Sequence, residues 1–269
     1  MRCGVLGDPI AHSLSPVLHR AGYVALGLPW EYDAHRVAAG GLAQFVAGLD
    51  ASWRGLSLTM PLKREAVALA DSLSEPARLC GAANTLLLGE AGISGDNTDI
   101  PGAVAALADR GITAVRSATI QGGGATATSV GLALADLGAT EVRLLVREPS
   151  RAAATATALA AHPRSPRVLV EELATAAVTG DVVVSTIPAS AQGGDVVTRC
   201  AGRSAVFEVV YDPWPTPLAA AALRRGQVLV SGLDLLVHQA AAQFELFTGL
   251  RAPLAVLRDA GQRALVERG

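Results

Sequence analysis

Apolar residues along the chain fall into two alternating textures. Short runs rich in Val, Ile, Leu and Trp, bounded by Gly, Pro or Asp, predict strands at Arg2–Gly7, Trp30–Val37, Trp53–Met60, Ser117–Gln121, Glu141–Arg147, Val182–Thr186, Val206–Tyr211 and Val228–Ser231. Between them, longer stretches predict helices at Ser15–Leu26, Gly41–Leu49, Glu75–Leu79, Thr126–Leu137, Leu218–Arg225 and Asp234–Phe247, with others starting near Lys63 and Pro101. Ser15 is the expected N-cap of the first helix, with Pro16 in its first turn. Regular alternation of strand and helix implies mostly parallel sheets covered on both faces. The fold class is therefore α/β, with two open α/β domains. A change of texture near Pro101 and a break at Gly232 set the expected edges: residues 1–100 plus 233–269, and residues 101–232. A C-terminal helix then returns to the first domain.

One position stands out chemically. Lys63 is the only lysine, so every other member of the 22 Lys and Arg residues is arginine. Arginine keeps its proton in proteins, whereas lysine can give it up, so a lone lysine suits proton handling. The only two asparagines, Asn84 and Asn97, follow soon after, which concentrates polar side chains between residues 55 and 99. Thr59 and Lys63 come at the carboxyl end of a predicted strand, where open α/β sheets place ligands. The turn G-D-N-T-D at 95–99 lacks the glycine and distal glutamate of a calcium loop, and reads as a polar turn delivering Asp99. A carboxylate beside a lysine orients it, and such a pair can pass a proton to or from a substrate oxygen. Asp99 as a helix cap is the plainer alternative.

In the second half, Ser117–Arg147 reads as strand, glycine turn, helix and strand. Gly122, Gly123, Gly124 and Ala125 form a turn whose amides suit a pyrophosphate at a helix N-terminus. A full G-x-G-x-x-G is absent, with Gln121 in place of its first glycine. Val146 and then Arg147 stand where an acidic residue marks NAD sites, and Arg151 follows four residues on, a pattern that favours a 2′-phosphate and hence NADP.

Composition narrows the partners. A chain with 51% hydrophobic residues and a net charge of −2 is globular and carries neither a basic nor an acidic run, so no nucleic-acid or membrane partner is expected. The first residues lack the apolar core of a signal peptide, and Cys3, Cys80 and Cys200 are widely spaced, so a cytoplasmic location with reduced thiols is expected. The five histidines show no ligand spacing, and no metal is expected.

Taken in order, G-D-P-I-A-H-S-L-S-P, S-L-T-M-P-L-K, G-A-A-N-T-L, G-D-N-T-D, G-G-G-A, Y-D-P-W-P-T-P and G-L-D-L-L-V-H-Q-A-A resemble shikimate dehydrogenase from Gly4 to about Gly249, with Ser57 as in actinobacterial members. The resemblance implies an N-terminal substrate domain and a Rossmann-like dinucleotide domain. It implies reversible NADPH-dependent reduction of 3-dehydroshikimate to shikimate, with Lys63 and Asp99 as the catalytic pair. Ser13, Ser15, Thr59, Asn84, Tyr211 and Gln239 would hold the substrate. Gln121, Gly122, Gly123, Gly124 and Ala125 would form the phosphate turn, Arg147 and Arg151 would flank the 2′-phosphate, and Val209 and Gly232 would lie beside the nicotinamide. The family pattern is broken by Gln121, by Val146 before the arginine, by Ile100 after Asp99, and by S-T-I-P at 185–188. The expected partner is the small-molecule substrate, with a homodimer left open. Three rival readings stand beside it: an NAD-dependent quinate/shikimate dehydrogenase, a non-catalytic sensor of shikimate-like ligands or nucleotide, and a methyltransferase on a similar layered fold.

Overall fold

The computed structural model describes residues 1–268, which form two compact units: Met1–Thr98 with the chain from Leu236 onward, and Asp99–Leu235. The first unit begins with β1 (Arg2–Gly7), α1 (Ser15–Ala25), β2 (Glu31–Arg36), α2 (Leu42–Ala47) and β3 (Trp53–Leu58). It continues with α3 (Glu65–Leu69), β4 (Ser72–Leu73), α4 (Glu75–Cys80), β5 (Thr85–Gly89) and β6 (Gly92–Asp96). The sheet order is β2-β1-β3-β5-β6-β4. β1 runs parallel to β2 and β3, as helical crossovers require. β5 is antiparallel to both β3 and β6. A tight hairpin makes the β5–β6 pair: Gly92 takes a φ of 102°, and the Asp71 carboxylate accepts from the Ile93 N–H at 2.8 Å. The sheet is thus mixed at the hairpin and parallel around β1.

Ser15 is not the cap of α1. Leu14 occupies that position without a side-chain bond, and Ser13 Oγ accepts from the Ser15 N–H at 3.3 Å. The Ser15 side chain is buried, so the capping role falls to the serine two residues earlier.

The second unit holds α5 (Asp99–Ala108), β7 (Ser117–Gln121), α6 (Ala125–Asp136), β8 (Glu141–Val146), a 3-10 turn at Pro149–Ala152, α7 (Ala153–Ala161) and β9 (Arg167–Glu172). β10 (Val182–Ser185), α8 (Gly194–Arg199), β11 (Ala205–Glu208), α9 (Pro217–Arg224) and β12 (Val228–Ser231) complete it. Its six strands are all parallel, in the order β12-β11-β10-β7-β8-β9. Strand order reverses between β7 and β10, and sheets of this kind bind ligands at the carboxyl ends of such a pair.

Two of the boundaries that differ from those read in the sequence bear on the site. β11 stops at Glu208, because the Glu208 carboxylate takes the Val210 N–H at 3.0 Å and turns the chain out of the sheet. Tyr211 therefore follows the strand rather than ending it. Gly232 does not break the chain: it opens α10 (Gly232–Thr248) directly after β12. A Cβ there would collide with the Val209 carbonyl, so only glycine allows the helix to start against that backbone.

From Leu236, α10 belongs to the first unit, followed by α11 (Leu254–Arg268). α10 contributes Phe244 and Phe247 to a core with Cys3, Val5, Tyr23 and Tyr32. The other face of the sheet packs Leu6, Leu56, Leu58, Leu62 and Leu86 with Ala66 and Ala77. Burying each such large apolar side chain stabilises the fold by roughly 1.5–3 kcal/mol, which holds the strand ends of this unit in place.

Candidate active site

In the first unit the expected substrate residues gather around the ends of β1 and β3. The Thr59 N–H donates to the Leu6 carbonyl at 2.9 Å, and Asp8 N–H to the Met60 carbonyl at 2.9 Å, tying the two loops together. The segment expected to start a helix near Lys63 is a turn, closed by Leu62 N–H to the Thr59 carbonyl at 2.9 Å, and α3 starts two residues beyond Lys63. The Lys63 carbonyl accepts from the Ala83 N–H at 2.8 Å, and the Asn84 carbonyl accepts from the Leu58 N–H at 2.7 Å. The half-buried Lys63 is thereby fixed by its backbone next to Asn84.

Asn84 is buried at the centre of a hydrogen-bonded group. Its Oδ1 accepts from the Thr98 N–H at 2.9 Å and from Thr85 Oγ1 at 2.8 Å. Its Nδ2 donates to Thr98 Oγ1 at 2.9 Å and to Gln239 Oε1 at 3.3 Å. Gln239 Nε2 in turn donates to the Leu236 carbonyl at 2.9 Å. α10 thus carries Gln239 to Asn84 by way of its own core contacts. Asn97 is buried too, but its amide serves the backbone: Nδ2 donates to the Ala82 carbonyl at 2.8 Å. Ser13 is half-buried in the loop before α1, and Ser15 is buried in its first turn. His12 is exposed, and its carbonyl accepts from Arg268 at 2.7 Å.

Asp99 is buried at the first position of α5 and directly follows Thr98, so the second unit begins where the Asn84 group ends. In this unit the glycine turn lies between β7 and the twelve-residue α6. Gly122 has φ 118°, a region closed to most side chains, and a Cβ there would strike the Thr186 hydroxyl. A Cβ on Gly123 would come within 2.8 Å of the Arg151 carbonyl. Gly124 faces open space and caps α6, which starts at Ala125. Thr155 holds the turn from α7, donating to the Gly123 carbonyl at 3.0 Å, and shares a 2.7 Å bond with Thr128. A concave backbone that excludes Cβ atoms, with amides at the start of a helix, fits a pyrophosphate. Arg147 and Arg151 are both exposed, as an adenosine 2′-phosphate would require, and Arg151 pairs loosely with Glu148 at 3.3 Å.

Gln121 does not present its side chain on this turn. It is fully buried in the core, with Nε2 3.5 Å from Cys200 Sγ, while its carbonyl accepts from the Thr186 N–H at 2.9 Å. Gly232 and Val209 come together, the glycine lying flat against the Val209 carbonyl. Tyr211 is half-buried just beyond them.

Comparison with known proteins agrees with this geometry. The family model described as shikimate dehydrogenase substrate binding domain matches residues 5–86, and that described as shikimate 5'-dehydrogenase C-terminal domain matches residues 232–260. A shikimate dehydrogenase (NADP(+)) of Methanosarcina mazei is 34% identical over 97% of this chain and 98% of its own length. The chain belongs to the shikimate dehydrogenase family. Among solved structures, Mycobacterium tuberculosis shikimate dehydrogenase superposes with a TM-score of 0.85, at 38% identity, over 98% of this chain and 99% of that one. Shikimate dehydrogenase of Thermus thermophilus in complex with NADP(H) and shikimate gives 0.86 at 31% identity, over 98% and 100%.

Against that shikimate dehydrogenase background, sequence reasoning passed over one cluster. Glu208 is fully buried at the end of β11, one residue before Val209. Gln192 Nε2 donates to it at 2.6 Å and Thr216 Oγ1 at 2.9 Å. Burial pushes its carboxyl up to about 7, against the pull of the Val210, Thr216 and Gln192 donors. A lone acid inside the apolar run V-F-E-V-V was the available signal. Tyr32, Ser57 and Gln243 are buried behind Asn84.

Proposed function

We propose that this chain is an NADP-dependent shikimate dehydrogenase that interconverts 3-dehydroshikimate and shikimate. The observation that carries this reading is end-to-end similarity to enzymes named for that activity, combined with a substrate-side cluster of Thr59, Lys63, Asn84 and Gln239 in the first unit. The first unit is the substrate domain and the second the dinucleotide domain, within a cytoplasmic enzyme.

Gly122–Ala125 would hold the pyrophosphate and Arg147 with Arg151 the 2′-phosphate, because the turn is shaped by backbone and the arginines are exposed. When bound, NADPH supplies a hydride to the carbonyl carbon. Lys63 delivers a proton to the carbonyl oxygen as negative charge grows there, so carbon and oxygen each gain one hydrogen. In the reverse direction its amine takes the hydroxyl proton. Asp99 keeps the ammonium aligned. Ser13, Ser15, Thr59, Asn84, Gln239 and Tyr211 hold the ring's hydroxyls and carboxylate. Val209 and Gly232, brought together at the ends of β11 and β12, would lie beside the nicotinamide.

The test mixes purified protein with shikimate or quinate and NADP⁺ or NAD⁺, following the reduced cofactor by absorbance. Reduction with shikimate and NADP⁺ is expected. Preference for quinate or NAD⁺ would reassign the enzyme within its family, and no turnover by folded protein would overturn the reading.

A further inference from the structure

Behind Asn84 lies a buried set of hydrogen bonds that runs in one direction only. Tyr32 is fully buried beneath the His19 ring, stacked at 4.1 Å, and burial pushes its phenol well above its ordinary range, so the proton stays on. That proton goes to Ser57 Oγ at 2.6 Å. Ser57, accepting there, gives its own proton to Gln243 Oε1 at 2.8 Å. With its oxygen committed, Gln243 turns its amino group to the Asn84 carbonyl and to Thr85 Oγ1, both at 2.9 Å. Thr85 then has its hydroxyl proton left for Asn84 Oδ1. Each hydroxyl owns one proton and each amide has one oxygen end, so the direction set at Tyr32 agrees with the two backbone groups that fix the far end, the Asn84 carbonyl on Gln243 and the Thr98 N–H on Asn84 Oδ1.

We propose that Tyr32, Ser57 and Gln243 are positioning residues that, together with the Thr98 N–H, hold the Asn84 amide with its oxygen inward and its amino group toward Gln239 and the substrate. The pocket thereby selects a ligand that places an accepting oxygen, hydroxyl or ketone, against Asn84. A reversed amide would offer an acceptor where the substrate needs a donor, the mismatch that polar sites use to reject near-analogues. This inference rests on the reading above that Asn84 contacts the substrate.

Steady-state kinetics of Gln243→Met and Tyr32→Phe test it. Gln243→Met keeps the volume but removes both ends of the relay, and KM for shikimate is expected to rise about tenfold, the scale of one hydrogen bond lost to misorientation. Tyr32→Phe keeps the stacked ring and lifts only the first constraint, for a rise of about threefold on the same scale. KM for NADP⁺ and kcat should stay within about twofold, since neither variant alters the nucleotide unit or the proton donor. In an Asn84→Ala background the Gln243→Met effect should vanish. A lowered melting temperature with both KM values unchanged, in whichever variant folds, would reduce the relay to a structural role and overturn the proposal. Wild-type protein that cannot oxidise shikimate would instead bring down the functional reading and the relay with it. An active wild type with an unmoved KM sinks the relay alone.

Discussion

The two units solve the same problem with opposite materials. In the first, the candidate site is made of side chains: Thr59, Lys63, Asn84 and Gln239, with Asn84 and Gln239 held by a network of neutral amides and hydroxyls. In the second it is made of backbone: two glycines, Gly122 and Gly123, whose missing Cβ atoms define the turn, framed by exposed arginines. A small polyhydroxylated ring must be told apart from its isomers, which requires donors and acceptors in fixed places. A pyrophosphate needs close approach and amide dipoles, which any residue supplies provided its side chain stays away. Substitutions should therefore act through chemistry in the first unit and through shape in the second.

Lys63→Arg is the harshest test of the side-chain half. It keeps the positive charge but not a proton that can be transferred at neutral pH. kcat should fall by a factor on the order of 10² or more, the usual worth of a general acid, while KM for NADP⁺ holds. Steady-state assays decide it. Near wild-type kcat would show that Lys63 only supplies charge.

The units also bury titratable groups of opposite sign of response. In the first, burial pushes His19 down to about 3 from its ordinary 6.5. Between those values the unfolded chain binds a proton that the folded chain refuses, so stability present above pH 6.5 is lost as pH falls toward 3. In the second, Glu208 titrates at about 7 instead of 4.5. There the folded chain keeps a proton the unfolded chain has released, so stability present below pH 4.5 is lost as pH rises through 7. Over its full range the effect amounts to about 5 kcal/mol for His19 and about 3 kcal/mol for Glu208. Thermal unfolding from pH 4 to 7.5 should show Glu208→Gln gaining on wild type as pH rises, and His19→Leu gaining as pH falls. Parallel curves for variant and wild type would mean that these groups are not the source of the pH dependence.

How much of this was legible in the sequence also differs between the halves. Strand and helix alternation gave β7, β12 and α6 to within a residue, because short β-branched runs and glycine stops leave little choice. The hairpin β5–β6 and its antiparallel pairing were not legible, since the strands are short and the turn depends on Asp71, distant in sequence. α7 was hidden because an alanine-rich run has no marked polar face. Among site residues, Lys63 and Asn84 stood out by rarity. Tyr32, Ser57, Gln243 and Glu208 did not, because each is ordinary in sequence and becomes special only through partners that folding brings close.

The sharpest contrast within the backbone half sets two neighbouring positions against each other. Gly123→Ala places a Cβ within 2.8 Å of the Arg151 carbonyl, so the turn or the 3-10 segment must shift. KM for NADP⁺ should rise about tenfold, one good phosphate contact, with KM for shikimate unchanged. Gln121 departs most visibly from the family pattern, yet its side chain is sealed in the core and its Oε1 lies buried without a hydrogen-bond partner among the described residues. An unsatisfied buried amide oxygen costs about 1 kcal/mol or more. Gln121→Leu removes that oxygen and keeps the volume, so the melting temperature should hold or rise by a few degrees and KM for NADP⁺ should not move. A raised KM in Gln121→Leu would mean that this side chain, and not the backbone alone, shapes the phosphate turn, and the division between a side-chain unit and a backbone unit would fail at that residue.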